Sequence, residues 1–157
     1  MPSFDQNNLS HLNFKFKLDR TPEIEYRAQS VQLPGMNLGT ASVPTPFVPI
    51  PLPGNLTYDD LSITFLVGEN MGDYLSIFNW MVALGHPDNL RDQYKDWRSD
   101  CSVFLLNSNL TPNIVARFTD AYPINLSPIE FDTTLSETQY ATATVTFRFM
   151  RWYLETL

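Results

Sequence analysis

Residues 33–65 read LPGMNLGTASVPTPFVPIPLPGNLTYDDLSITF, and this stretch contains the most informative pattern in the sequence. Its middle contains five closely spaced prolines, which are Pro44, Pro46, Pro49, Pro51 and Pro53. Proline donates no backbone hydrogen bond and stiffens the chain, so this segment is not expected in the centre of a sheet.

The same segment is rich in apolar side chains, namely Val43, Phe47, Val48, Ile50 and Leu52. A long loop without regular structure is usually functional or disordered, and disordered loops are poor in aromatic and branched apolar residues. We therefore predict that residues 34–54 form an irregular arm that docks on a neighbouring subunit. Met36, at the start of the arm, is included among its contact residues.

The composition indicates one domain, residues 1–157, with enough apolar side chains (43%) for a core. No apolar run is long enough to span a membrane, and the first residues lack the features of a signal peptide, so we expect a soluble product made in a cytoplasm. The net charge of −7 and the ten scattered basic residues argue against stable nucleic-acid binding. Cys101 is the only cysteine and is expected to be a buried, inert thiol.

Patterns typical of β-strands lie before and after the arm in the sequence. Residues 11–18 alternate apolar and polar side chains and predict a strand that buries Leu12, Phe14, Phe16 and Leu18. A second strand is predicted from Glu23 to Val31. After the arm, residues 61–67 alternate again, with Leu61, Ile63, Phe65 and Val67 facing inward.

Residues 70–84 predict the one convincing helix, capped at its start by Asn70 and ended by Gly85, His86 and Pro87. Its expected buried stripe consists of Met71, Tyr74, Leu75, Phe78, Met81 and Val82. Because other apolar residues widen this face, we expect the helix to seal the core and Phe78 to be buried.

The second half of the chain predicts further strands. Residues 103–106 and 114–118 read as a hairpin, with a break at residues 121–123. Strands are also expected at 129–133 and at 140–150, where Ala143, Val145, Phe147 and Phe149 oppose Thr142, Thr144, Thr146 and Arg148. One helix among six or seven strands indicates a mainly β (α+β) fold, an antiparallel barrel or two-sheet sandwich with a flanking helix.

No residue pattern points to catalysis, a cofactor or a metal. His11 and His86 lie in no triad or metal motif, and His86 is expected to be a helix-capping or surface residue. Asp59 and Asp60 are adjacent and should point to opposite faces, so they are poorly placed to share a proton. Asp88, Asp92, Asp96 and Asp100 are regularly spaced but lack the glycine and glutamate of a calcium loop. We therefore do not expect an enzyme.

Leu33-Pro34-Gly35, the apolar arm and residues 54–65 (GNLTYDDLSITF) together resemble the tail tube proteins of contractile-tailed, T-even-type bacteriophages. The order that follows is also similar: a helix, a hairpin, the run AYPINL at 121–126, and a last strand ending in Trp152-Tyr153-Leu154-Glu155. The resemblance covers residues 31–155.

The resemblance implies hexameric rings that contribute strands to a continuous inner barrel and stack into a DNA-conducting tube. Implied partners are other copies of the chain, sheath protein, baseplate tube-initiator proteins, the tail terminator, the tape measure protein and transiting DNA. The implied location is the virion tail, after assembly in the host cytoplasm.

Two alternatives use the same fold: a ring at the baseplate or terminal end of the tube, or the tube of a phage-derived contractile injection system. A small β binding module is a third. Within the tube reading, Thr142, Thr144 and Thr146 are candidates for a lumen face, and the lumen is expected to be acidic and smooth to DNA.

Overall fold

The computed structural model describes residues 7–86 and 97–157. This part of the chain forms nine strands, one α-helix and a short 3₁₀ helix. The strands are β1 (Phe14–Leu18), β2 (Ala28–Gln32), β3 (Met36–Val43), β4 (Ile50–Tyr58), β5 (Leu61–Leu66), β6 (Ser99–Leu106), β7 (Pro112–Leu126), β8 (Thr142–Arg148) and β9 (Arg151–Thr156). The α-helix α1 is Gly72–Gly85, and the 3₁₀ helix is Pro22–Tyr26.

Seven of these strands form an antiparallel path in the order β1-β6-β7-β8-β5-β2, with β9 paired to β7. The long strand β7 pairs with β6 and β9 in its first part and with β8 in its last part. It therefore joins two sheets, sheet A (β1, β6, β9 and the start of β7) and sheet B (β2, β5, β8 and the end of β7). No ladder among the described residues links β1 to β2, so the two-sheet form of the prediction is confirmed and the barrel is not closed within one subunit.

The predicted break at residues 121–123 is wrong, because β7 continues from Pro112 to Leu126. Asp120 has a positive φ of 54°, and the register shifts opposite it and again between Pro123 and Asn125. Such bulges bend a strand and increase its twist. The irregular residues thus carry β7 from one sheet to the other without ending it.

The core lies between the sheets and agrees largely with the predicted alternation. Its completely buried side chains include Phe16, Leu18, Leu61, Ile63, Phe65, Val145 and Phe147, with Ala143 almost as buried. Phe14, Val67 and Phe149 are only partly buried. The prediction for Leu12 is wrong: its side chain is 86% exposed, because β1 begins two residues later at Phe14.

The predicted strand at 23–31 is wrong in its first part, and the one at 129–133 is absent. Residues 22–26 form the 3₁₀ helix, in which Pro22 supplies a preset helical φ and Ile24 is buried, so strand β2 starts only at Ala28. No strand forms at 129–133. There the Asp132 carboxylate accepts hydrogen bonds from the backbone N–H and hydroxyl of Thr134, which favours a turn.

The helix begins at Gly72, and Asn70 does not cap it. Met71 occupies the cap position with a positive φ of 53°, and the buried carboxylate of Asp73 accepts a hydrogen bond from the Tyr74 N–H at 2.8 Å. At the other end the His86 N–H donates to the Val82 carbonyl, which confirms the predicted capping position.

The predicted buried stripe of α1 is only partly correct, because Tyr74 and Met81 pack against the core but three other members do not. Asp73, Ile77 and Trp80 are buried, whereas Leu75, Phe78 and Val82 are exposed. The helix is apolar on most sides, so spacing alone does not identify the face that packs. Trp80 fixes the rotation, because its Nε1–H donates to the Trp97 carbonyl at 2.9 Å and its ring lies 6.1 Å from that of Phe147.

A substitution on the exposed face of α1 should therefore lower the free energy of unfolding only slightly. We expect Phe78→Ala to lower the free energy of unfolding by about 1 kcal/mol, because the side chain is 49% exposed and only part of its apolar surface leaves water on folding. Urea unfolding of the unassembled subunit measures this difference. A loss above about 3 kcal/mol would mean that the ring is part of the core.

Candidate functional site

The arm is a β-hairpin, which corrects the prediction of an irregular loop. Within the described residues, strands β3 and β4 pair only with each other and form a separate two-stranded sheet. Pro51 lies opposite Ser42, and Pro53 lies opposite Thr40. Both strands of such a ribbon are edge strands, so a missing proline N–H can face solvent without losing a ladder bond.

The root of the hairpin is fixed by a close backbone contact. The Asp59 N–H donates to the Gly35 carbonyl at 3.0 Å. A Cβ atom at Gly35 would lie 2.8 Å from Asp59 Oδ2, so a side chain at this position would force the carboxylate to move. The Leu-Pro-Gly and aromatic-Asp-Asp elements of the sequence motif therefore meet at one point.

Aromatic packing and an ion pair tie this root to the two sheets. The Tyr58 ring lies 5.9 Å from that of Phe149, which packs edge-on against the buried Phe118 at 5.0 Å. Asp60 Oδ1 accepts from Arg148 Nε at 3.2 Å. Asp59 and Asp60 thus have different partners, and the root is anchored while the rest of the hairpin projects.

A bulge divides the hairpin into a base and a tip. The register shifts between Leu38 and Thr40, and a Cβ atom at Gly54 would lie 2.9 Å from the Gly39 carbonyl oxygen. Only glycine permits this approach of two backbones. Beyond the bulge, Ala41 pairs with Leu52 and Val43 pairs with Ile50, so the tip has one apolar face.

The predicted arm residues are all exposed in the subunit: Met36, Val43, Phe47, Val48, Ile50 and Leu52. Phe47, at the end of the hairpin, is 93% exposed. The Thr45 hydroxyl accepts from the Phe47 N–H and donates to the Val48 carbonyl, which orders the turn around the ring. Leu38 and Leu56, which we did not predict, add exposed apolar surface at the base.

The hairpin and the strand before it are also uncharged. Residues 28–58 contain no Asp, Glu, Lys or Arg, although the chain carries a net charge of −7. Exposed contiguous apolar surface is rare on monomeric proteins and marks interaction sites. The arm therefore has the composition of an interface and lacks charges that would keep it in water.

The predicted lumen residues lie together on the outer face of sheet B. Thr142 is exposed, Thr144 and Thr146 are half-buried, and the Thr64 and Thr144 hydroxyls are 3.0 Å apart. The ladder places further hydroxyl and amide side chains beside them: Ser30 opposite Thr64, Ser62 opposite Thr146, and Gln32 opposite Ser62. We call this surface the hydroxyl face.

The hydroxyl face is neutral, and the acidic lumen stays a prediction, because a single subunit contains no channel. Its charged side chains on β8 and at the start of β5 are Arg148 and Asp60, which pair with each other. Alternation along β8 holds throughout: Ala143, Val145 and Phe147 face the core and the threonines face outward. The face is thus a polar surface without a net charge at its centre.

The described residues offer little for chemistry. No group of three or more His, Cys, Asp or Glu side chains lies close enough to hold a metal ion, in the ranges 7–86 and 97–157. Of the four evenly spaced aspartates, only Asp100 lies within the described residues, where its carboxylate accepts from the Asp120 N–H. Cys101 is buried as predicted, and burial raises the pKa of its thiol.

No helix in the described part of the chain is long and apolar enough to cross a membrane.

The exposed apolar stripe on α1 was not predicted from the sequence, because its composition is the same as that of a core face. By contrast, the proline content gave a clear signal for the arm.

Known proteins share this fold and sequence. The tail tube protein of Serratia phage KSP90 is 27% identical over 128 residues, which cover 79% of this chain and 71% of that protein. A chain of the PVC extracellular contractile injection system, in its extended sheath-tube complex, superposes with a TM-score of 0.74 at 14% identity, covering 97% of this chain and 94% of that chain.

A chain in the tube-terminating cap of the anti-feeding prophage gives a TM-score of 0.72 at 17% identity, covering 100% of this chain and 97% of that chain. At these identities the two structures establish the fold alone. The family model described as phage tail tube protein matches residues 2–155. Since this match spans nearly the whole sequence, the chain belongs to the phage tail tube protein family.

Proposed function

We propose that this chain is the subunit of the inner tail tube of a contractile tail, in which hexameric rings stack into a conduit for DNA. The observation that carries the proposal is the uncharged, exposed hairpin arm on a subunit of the tail tube family. An arm of this kind gains stability only when its apolar side chains are covered, and other copies of the chain supply such cover in a tube.

The open edges of sheet B support assembly into rings. Strand β2 pairs only with β5, and Tyr122–Leu126 at the end of β7 pairs only with β8, among the described ladders. Unpaired strand edges favour pairing with another chain. If one subunit's β2 edge meets the next subunit's β7 edge, sheet B continues around the ring and its hydroxyl face lines a channel.

The role in this proposal is structural and not catalytic. Partners would be other copies of the chain, sheath protein, the baseplate tube-initiator and tail terminator proteins, and the tape measure protein and DNA inside. The subunit would assemble in the host cytoplasm and end in the virion tail. A terminal or baseplate ring is the second candidate, because a chain of the tube-terminating cap has the same fold.

Negative-stain electron microscopy of the purified protein tests the proposal. Long tubes of stacked rings are expected. Single rings that do not stack would favour the terminal or baseplate candidate. A protein that stays a monodisperse monomer up to its limit of solubility would contradict both.

If the hydroxyl face lines the channel, it determines how strongly the tubes bind DNA. Wild-type tubes should retain little short linear duplex at low salt, because a neutral hydroxyl face releases no counterions from phosphates. Thr142→Lys/Thr146→Lys tubes should retain it strongly, with an affinity that falls steeply as salt rises. Co-sedimentation with labelled DNA measures retention.

A closed circular plasmid is the control, because it cannot thread a channel. Lysines that face the lumen retain the linear fragment and leave the plasmid in the supernatant. Equal retention of both DNA forms would show that the hydroxyl face lies outside the tube.

A further inference from the structure

A second uncharged surface lies on α1. Residues 74–86 contain no Asp, Glu, Lys or Arg, and Leu75, Phe78 and Val82 form an exposed apolar stripe along them. A shallow groove of about 390 Å³ adjoins this stripe, lined by Tyr74, Phe78, Met81, Val82, Asn125 and Leu126 together with Gly85 and His86. We call this surface the α1 groove.

The α1 groove and the arm lie at opposite edges of sheet B. Asn125 and Leu126, which line the groove, belong to the end of β7, one edge of that sheet. The arm follows directly from β2, which is the other edge. The α1 groove and the arm are therefore separated by the width of sheet B within one subunit. A contact between them would join two copies of the chain, placed side by side or one above the other.

We propose that the α1 groove is the receptor for the arm tip of a second copy of this chain. The two surfaces match in charge, because residues 28–58 and 74–86 both lack charged side chains in a chain of net charge −7. A charged partner would lose hydration at the groove without an opposite charge to compensate it. The uncharged arm has no such penalty.

Phe47 is the anchor of this contact. Its ring is 93% exposed, and the Thr45 hydroxyl orders the turn that presents it. In most protein interfaces a few large side chains, often aromatic, fill well-packed pockets and carry most of the binding energy. Because arm and groove are different surfaces, each copy uses one of each, and the contact repeats from copy to copy.

This inference rests on the proposed function, since it requires that copies assemble, and a double cysteine variant tests it separately. Val48→Cys/Val82→Cys places one thiol on the arm tip and one in the groove of every subunit. The native Cys101 does not compete, because it is buried and burial raises the pKa of its thiol. Assembled protein is treated with a short bis-maleimide reagent and run on denaturing gels.

The expected result is a ladder of covalent multimers larger than dimers, at least tenfold above the Val48→Cys/Lys17→Cys control. Lys17 lies exposed on the outer face of sheet A, away from the groove. Each single-cysteine variant should stop at dimers.

Val82→Asp supplies a second measurement. Val82 is exposed in the subunit, so the variant should unfold at the same temperature as the unassembled wild-type subunit and should lose assembly. If wild-type assemblies form but the ladder is absent, or if Val82→Asp assembles normally, the groove is not the arm receptor and the tube function stands. If the wild-type protein does not assemble at all, both proposals are wrong.

Discussion

Deleting Val43–Leu52 should leave a folded subunit that no longer forms tubes. The deletion removes Phe47 and most of the other exposed apolar side chains of the arm tip, none of which contributes to the core. The register of β3 and β4 is compatible with this deletion. Thr40 and Pro53 are paired, and the deletion leaves Ala41 and Ser42 as a two-residue loop between them. Ala41→Asn/Ser42→Gly in the same variant supplies the favoured turn residues.

Sedimentation and electron microscopy measure the loss of tubes, and thermal unfolding shows that the domain remains intact. The matched control keeps the full arm and carries Ala41→Asn/Ser42→Gly without the deletion. Normal tubes from the deletion variant would contradict the assignment of the arm as an assembly element.

Trp80→Ala should cause the largest loss of stability of any substitution on α1. The indole is 2% exposed, packs near Phe147, and lies under the guanidinium of Arg20 at 4.8 Å. Removing a buried aromatic side chain typically costs about 3 to 5 kcal/mol. The loss also leaves the Trp97 carbonyl without the indole N–H that it accepts.

Trp80→Phe separates packing from hydrogen bonding. It keeps an aromatic ring and removes the Nε1–H, so we expect a loss of about 1 to 2 kcal/mol. Urea unfolding of the unassembled subunit measures both variants beside Phe78→Ala. If Trp80→Ala and Phe78→Ala destabilise equally, the rotation of α1 described above is wrong.

Alternation predicted the strands that have one buried face. The residues Leu61, Ile63 and Phe65, and later Ala143, Val145 and Phe147, are buried as their period of two requires. The outward threonines of β8 follow from the same pattern. The alternation does not show whether an exposed apolar face binds another molecule.

The failed predictions have different physical causes, and the first is that exposed apolar side chains on a helix cannot be told from core residues by spacing alone. Leu75, Phe78 and Val82 have helical spacing and looked like core residues, yet they are exposed. The prolines of the arm excluded a central strand correctly but did not exclude a two-stranded hairpin, where both strands are edges. The full length of β7 was not predicted, because Pro123 usually marks the end of a strand and here lies at a bulge.

A cryo-electron-microscopy reconstruction of the assembled protein would show directly how the subunits are arranged. We predict six-fold rings stacked into a tube, with sheet B continuous between subunits, Thr142, Thr144 and Thr146 facing the channel, and each arm covered by another copy. A monomer, or an assembly in which the arms remain in solvent and the hydroxyl face lies on the outside, would contradict the account.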